Sequence, residues 1–167
     1  MNRRNRVRIV GAFAALLPGL AFALSTGVPM SGLPSASMYG ASVLPQAEGV
    51  VAWTTLAAVE PVKQGDKIVP RFSPAILALD GTQVRVQGFM IPMDLGEEQK
   101  HFLVSAAPPH CPFCLPAGPE AIVEVFAAKP VQFSMEPIVV SGKLALVKSD
   151  PSGLLYRMTR AEHVSPH

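Results

Sequence analysis

Cysteine is almost missing from this chain. Among 167 residues there are two, Cys111 and Cys114. A second Cys-x-x-Cys pair, which would make a zinc site a strong reading, is absent. No cysteine comes directly after the N-terminal apolar run, so lipid attachment there is excluded. Glycine-rich phosphate loops are lacking too: Gly118 stands alone among prolines. No serine sits in a nucleophile elbow. Nor is there an excess of positive charge once the N-terminus is set aside. Arg3, Arg4, Arg6 and Arg8 lie in residues 1–23, and without them ten Lys and Arg face twelve acidic residues, a net charge of −2. Nothing then favours electrostatic binding to nucleic acid.

What is present begins with an export signal. Four arginines precede the apolar run Ile9–Leu20, and Ala21-Phe22-Ala23 offers a small-x-small cleavage site. That order reads as a secretory signal peptide cut after Ala23, by the general rather than the twin-arginine route. The run is short for a bilayer and Pro18 interrupts it, so a membrane role is confined to the signal, should it stay uncleaved. The expected location is periplasmic or secreted. Residues 24–49, rich in Ser, Gly, Pro and Ala, read as a flexible leader. Residues 50–164 read as a single β-rich domain.

Within the domain, "VVAWTTLAAVE" suggests a short helix with Trp53 and Leu56 on one face. Ser73-Pro74 starts a second turn of helix that Asp80-Gly81 stops. Lys63 to Ser73 reads as a connection. Five strands follow: "TQVRVQGFMIPM", "HFLVS", "AIVEVFA", "PIVVSGKLALVK" and "GLLYRMT", with Asp150-Pro151-Ser152-Gly153 as the last turn. Gly88 and Gly142 interrupt the two long strands and suggest bends. "VRVQGFMI" and "IVVSGKLA" look alike. The expectation is a mainly β fold, a small, partly closed five-stranded barrel of OB-like type with one or two short helices before the sheet. An open sandwich is the competitor.

The chemistry concentrates in "PPHCPFCLPAGPE", Pro108 to Glu120. Three readings compete. Cys-x-x-Cys on a tight turn aims two sulfurs at one point, half of a tetrahedral zinc or copper(I) site. Further ligands would come from His110, His101, His163 or Glu120. In an exported protein the pair could instead be a disulfide, which over so short a ring contributes roughly 2 kcal/mol. It would then shape a docking loop whose contacts are Phe113 and Leu115. A thiol–disulfide oxidoreductase ranks third, because Pro116, Gly118 and Pro119 leave no helix N-terminus to activate a thiolate. Catalysis is otherwise unsupported, since Glu97-Glu98 fits a charged hairpin loop better than an acid–base pair. Met90 and Met93 are conceivable copper ligands, with core filling preferred for at least one of them.

Several stretches together resemble a known bacterial family, the domain of unknown function 3299. They are "LDGTQVRVQGFMIPM", "FLVSAAPPHCPFCLPAGPEAIVEV", "PIVVSGKLAL" and "GLLYRM", spread over about Trp53 to Ala161. The resemblance implies an exported protein, with Cys111, Cys114 and their loop as its distinguishing site. It also implies an association with ABC-type export or efflux components and metal homeostasis. It assigns no role to His101 or His163.

Overall fold

Alternating β-branched residues and two interior glycines shape the domain. In a computed structural model, residue 44 and residues 47–109 and 118–165 are described. The residues read as an export signal, most of those read as a leader, and residues 110–117 lie outside them. Two single-turn helices, α1 (Trp53–Leu56) and α2 (Pro74–Leu77), flank a hairpin of β1 (Val59–Gln64) and β2 (Lys67–Phe72). Then come β3 (Gln83–Pro92), β4 (Glu98–Ser105), a 3-10 turn (Pro119–Ala121), β5 (Ile122–Gln132), β6 (Ile138–Leu146) and β7 (Tyr156–Val164).

The last five strands close into a barrel in the order β3-β4-β5-β7-β6. Every pairing is antiparallel except β5 with β7, which is parallel. The mainly β, five-stranded expectation is met, and the sheet closes on itself, leaving no barrel edge open. The two look-alike strands are partners: Val84 of β3 lies opposite Gly142 of β6, and Gly88 opposite Ile138. Both glycines sit at bends. Gly88 is where β3 passes from β6 to β4. A Cβ there would come within 2.5 Å of the Ser105 carbonyl oxygen. Gly142 falls at the register shift between β6 and β7. Opposite it Arg160 takes a φ of 51°, the left-handed conformation of a bulge residue.

Inward residues of all five strands fill the barrel, among them Val86, Phe102, Val104, Val125, Val140 and Met158. Trp53 and Leu56 of α1 and Ile76 of α2 complete that core. Trp53 donates its indole N–H to the Gln87 carbonyl at 2.8 Å, and Ser73 caps α2 by accepting from the Ile76 amide. On the outer face a smaller apolar cluster joins Ile91, Leu103 and Ile122 to Leu154 of the β6–β7 loop.

One expectation needs correcting. The stretch read as a connection is the β1–β2 hairpin, turning at Gly65-Asp66 with Gly65 at φ 62°. Its strands are mostly exposed, so no alternation of apolar residues announced them. Pro61 faces Pro70 across the ribbon, which a two-stranded sheet tolerates because each strand is an edge. Among the described residues, no helix is long and apolar enough to cross a membrane.

Candidate functional site

The cysteine loop grows from the end of β4 and returns at the start of β5. Its base is clamped: the Ala106 amide donates to the Ala121 carbonyl at 3.0 Å, and the Ala107 amide to Ser105 Oγ at 3.2 Å. The returning limb is short and stiff. Gly118 is extended, Pro119 takes the first position of the 3-10 turn where a missing N–H costs nothing, and the Ala121 amide closes back on Gly118. The turn then runs straight into β5, and among the described residues no α-helix lies between the loop and that strand. Cys111, Cys114, His110, Phe113 and Leu115 fall within residues 110–117, outside the described residues.

Glu120 sits on this returning limb. It is 4% exposed, and neither carboxylate oxygen has a hydrogen-bond partner among the described residues. Such a group is costly to bury, by about 1–3 kcal/mol from protein mutational data for a polar group and more for a charge. Tyr156 on β7 lies nearby. Burial first, and then the charge of Glu120, pushes its phenol well above the usual range. That phenol donates to the Leu56 carbonyl at 2.5 Å. At the returning limb of the loop, a buried carboxylate, a neutral phenol and the C-terminal end of α1 thus lie together.

His101 belongs to a different cluster. Phe102 and Val104 of β4 point into the barrel, so His101 points outward, as do Glu124 and Phe126 of β5 and Arg157 of β7. His101 Nε2 lies 3.0 Å from Glu124 Oε1, and Arg157 Nε donates to Glu124 Oε2 at 2.6 Å. Arg157 reaches on to Asp150 at 3.3 Å. The His101 ring stacks on Phe126 with centroids 4.4 Å apart, and the Arg157 guanidinium lies 5.7 Å over the same ring. Hydrogen bonding to Glu124 holds the Arg157 proton more firmly than usual. The hydroxyl and amide of Ser152, then Arg157, hold the Asp150 carboxyl below the ordinary carboxylate range. This chain of charges ties β4, β5, β7 and the β6–β7 loop together. It commits one ring nitrogen of His101 and leaves Nδ1 as what that residue offers a cation.

The other sequence candidates are dispersed. β7 runs parallel to β5 and so away from the loop, which puts His163 toward the far end, beside Glu162, Lys129 and Val131. Met90 is core, 2% exposed, while Met93 is largely exposed. Glu97 and Glu98 are exposed where the β3–β4 hairpin enters β4. Among the described residues, no three of His, Cys, Asp and Glu come together to hold a metal. Sequence reasoning passed over the Glu124–Arg157 pair. Its signal was a lone glutamate inside "AIVEVFA", which a half-buried strand places only beside a partner.

The family model described as protein of unknown function (DUF3299) matches residues 53–163. A crystal structure of a DUF3299 family protein from Pseudomonas aeruginosa PAO1 is similar at 23% identity, over 59% of this chain and 69% of that one, with a TM-score of 0.46. Among curated proteins no match is found. The family model takes in the cysteine loop and the barrel strands, all but Val164 of β7, and the chain belongs to the DUF3299 family.

Proposed function

We propose that the chain is an exported, non-catalytic accessory protein whose Cys-x-x-Cys loop holds a zinc or copper(I) ion for a transport or metal-homeostasis system of the envelope. The observation that carries this reading is Glu120. It lies six residues beyond Cys114 on the limb that closes the loop, buried and without a hydrogen-bond partner among the described residues. A buried carboxylate left in that state needs a cation or a set of donors. Two thiolates on the same loop, with His110 beside them, supply the rest of a cation site. An oxygen donor favours zinc over copper(I), which prefers an all-sulfur shell.

The test is zinc titration of the reduced, full-length exported protein. Binding at about one zinc per chain, lost in Cys111→Ser and Cys114→Ser, is the expected result. Absence of zinc and copper(I) uptake by reduced protein removes the reading. A pair found fully oxidised on export would instead favour a disulfide-shaped docking loop carrying Phe113 and Leu115.

A further inference from the structure

Seven large apolar side chains are exposed among the described residues, and four of them gather at one place: Leu95 at 102%, Met135 at 84%, Met93 at 53% and Phe133 at 37%. Met93 and Leu95 lie on the β3–β4 connection, Phe133 and Met135 on the β5–β6 connection. The two connections touch, because the Phe133 amide donates to the Glu97 carbonyl at 2.6 Å and Glu98 pairs with Gln132. β4 begins at this rim and ends at the base of the cysteine loop, so the tip and that loop occupy opposite ends of the barrel.

The tip is braced from within. Gln99 is fully buried, yet its side chain serves only this connection. Its Nε2 donates to the carbonyls of Gly96 at 2.7 Å and Asp94 at 3.1 Å, and its Oε1 accepts from the Asp94 amide. The Asp94 carboxylate accepts from the His101 amide at 3.0 Å, and Gly96 supplies a φ of 101°. Across the rim, Ser134 Oγ bonds both backbone groups of Glu136. A buried amide is thus committed to fixing a loop whose apex leucine touches nothing. Pre-ordered apolar anchors lower the entropy lost when a partner covers them.

Charge names the occupant. Asp94, Glu97, Glu98 and Glu136 are all exposed around the four apolar side chains, against Lys100 on β4 and Lys129 on β5. An acidic fringe is repelled by an anionic bilayer surface. A two-fold contact between copies would set acid against acid. We infer that this tip docks into a folded partner protein that presents an apolar groove rimmed by Lys and Arg, with Leu95 and Met135 as the anchors.

The experiment places a photoreactive phenylalanine analogue at position 95 of the full chain in its own cells, with position 77, an exposed leucine on α2, as control. The expected result is one discrete cross-linked protein from position 95 and not from 77. Binding of that protein, once purified, should weaken about tenfold or more with Leu95→Asp, and separately with Glu97→Lys plus Glu98→Lys, and should weaken with added salt. Leu95→Asp should leave thermal stability unchanged, which separates lost docking from lost folding. The inference is overturned by no adduct at 95, by the same adduct at 77, by a second copy of this chain as the adduct, or by binding that survives Leu95→Asp. Leu95-dependent binding to phosphatidylglycerol vesicles would also overturn it, as a membrane contact.

Discussion

The hydroxyl of Tyr156 donates to the carbonyl of Leu56 at 2.5 Å, joining residues 100 apart in the chain. One is the first residue of the last barrel strand and the other the last residue of the helix over the barrel end. Both are fully buried, so this bond fixes where α1 sits relative to β7 and to the 3-10 turn that carries Glu120 and Ala121.

Tyr156→Phe keeps the ring and removes the donor, leaving the Leu56 carbonyl short of a partner. Urea denaturation should show a loss of about 1–3 kcal/mol. The pH profile supplies a second readout. The folded phenol ionises above its ordinary range, so the stability it gives is complete below about pH 10 and is lost as pH rises further. Wild type should therefore lose stability on the alkaline side, and Tyr156→Phe should lose less. Parallel profiles would contradict the account.

Gly88→Ala and Gly142→Ala should differ in cost. A Cβ at 88 meets backbone, the Ser105 carbonyl oxygen at 2.5 Å, and also Val104 at 2.7 Å. At 142 the nearest atoms are Met158 Cγ and Sδ, at 2.6 and 2.9 Å, and the nearest backbone atom, the Ala161 Cα, is farther off, at 3.0 Å. Gly88→Ala should lose ~3 kcal/mol and Gly142→Ala less, by chemical denaturation. Equal losses would mean that β3 does not pass so close to β4.

The Asp150 carboxyl is held below its ordinary range by Ser152 and then Arg157. Its contribution to stability is therefore complete above about pH 4 and lost as pH falls through the lowered folded value. Thermal unfolding followed toward acid should show a smaller decline in Asp150→Asn than in wild type. An identical decline would place the acid sensitivity elsewhere.

Glu120→Gln separates structure from function. In metal-free protein it should raise stability by about 1 kcal/mol or more, because a buried carboxylate with no partner among the described residues becomes a neutral amide. In the same variant zinc affinity should fall tenfold or more, on the order expected for a lost ligand contact. A variant that is less stable without metal would show that Glu120 is a structural group with partners of its own.

How much of this was legible in the sequence follows from which forces leave a pattern. The barrel strands were legible where a buried face leaves apolar runs or alternation, but β5 and β7 run on past Ala127 and Thr159 to Gln132 and Val164, over mostly exposed positions that leave no such pattern. Gly88 and Gly142 announced their bends because close backbone approach excludes a Cβ. Trp53 and Leu56 shared a face at helical spacing. The β1–β2 hairpin escaped because its strands bury little, and only Gly65-Asp66 marked it. Long-range polar pairing escaped as well. Nothing local says that Glu124 meets Arg157, or that Gln99, whose strand position also suits a solvated residue, turns inward to hold Asp94 and Gly96. Glu120 was one ligand candidate among several, and its burial became visible only when β7 and α1 closed around it.

The metal reading is tested most directly by native mass spectrometry of the protein produced as the full chain in its own cells, isolated gently and without added reductant. The account predicts a chain carrying one zinc ion with both thiols of Cys111 and Cys114 unoxidised, and a metal-free chain when Cys111 is replaced by Ser. A wild-type chain that carries no metal and whose mass shows the two cysteines joined would contradict it.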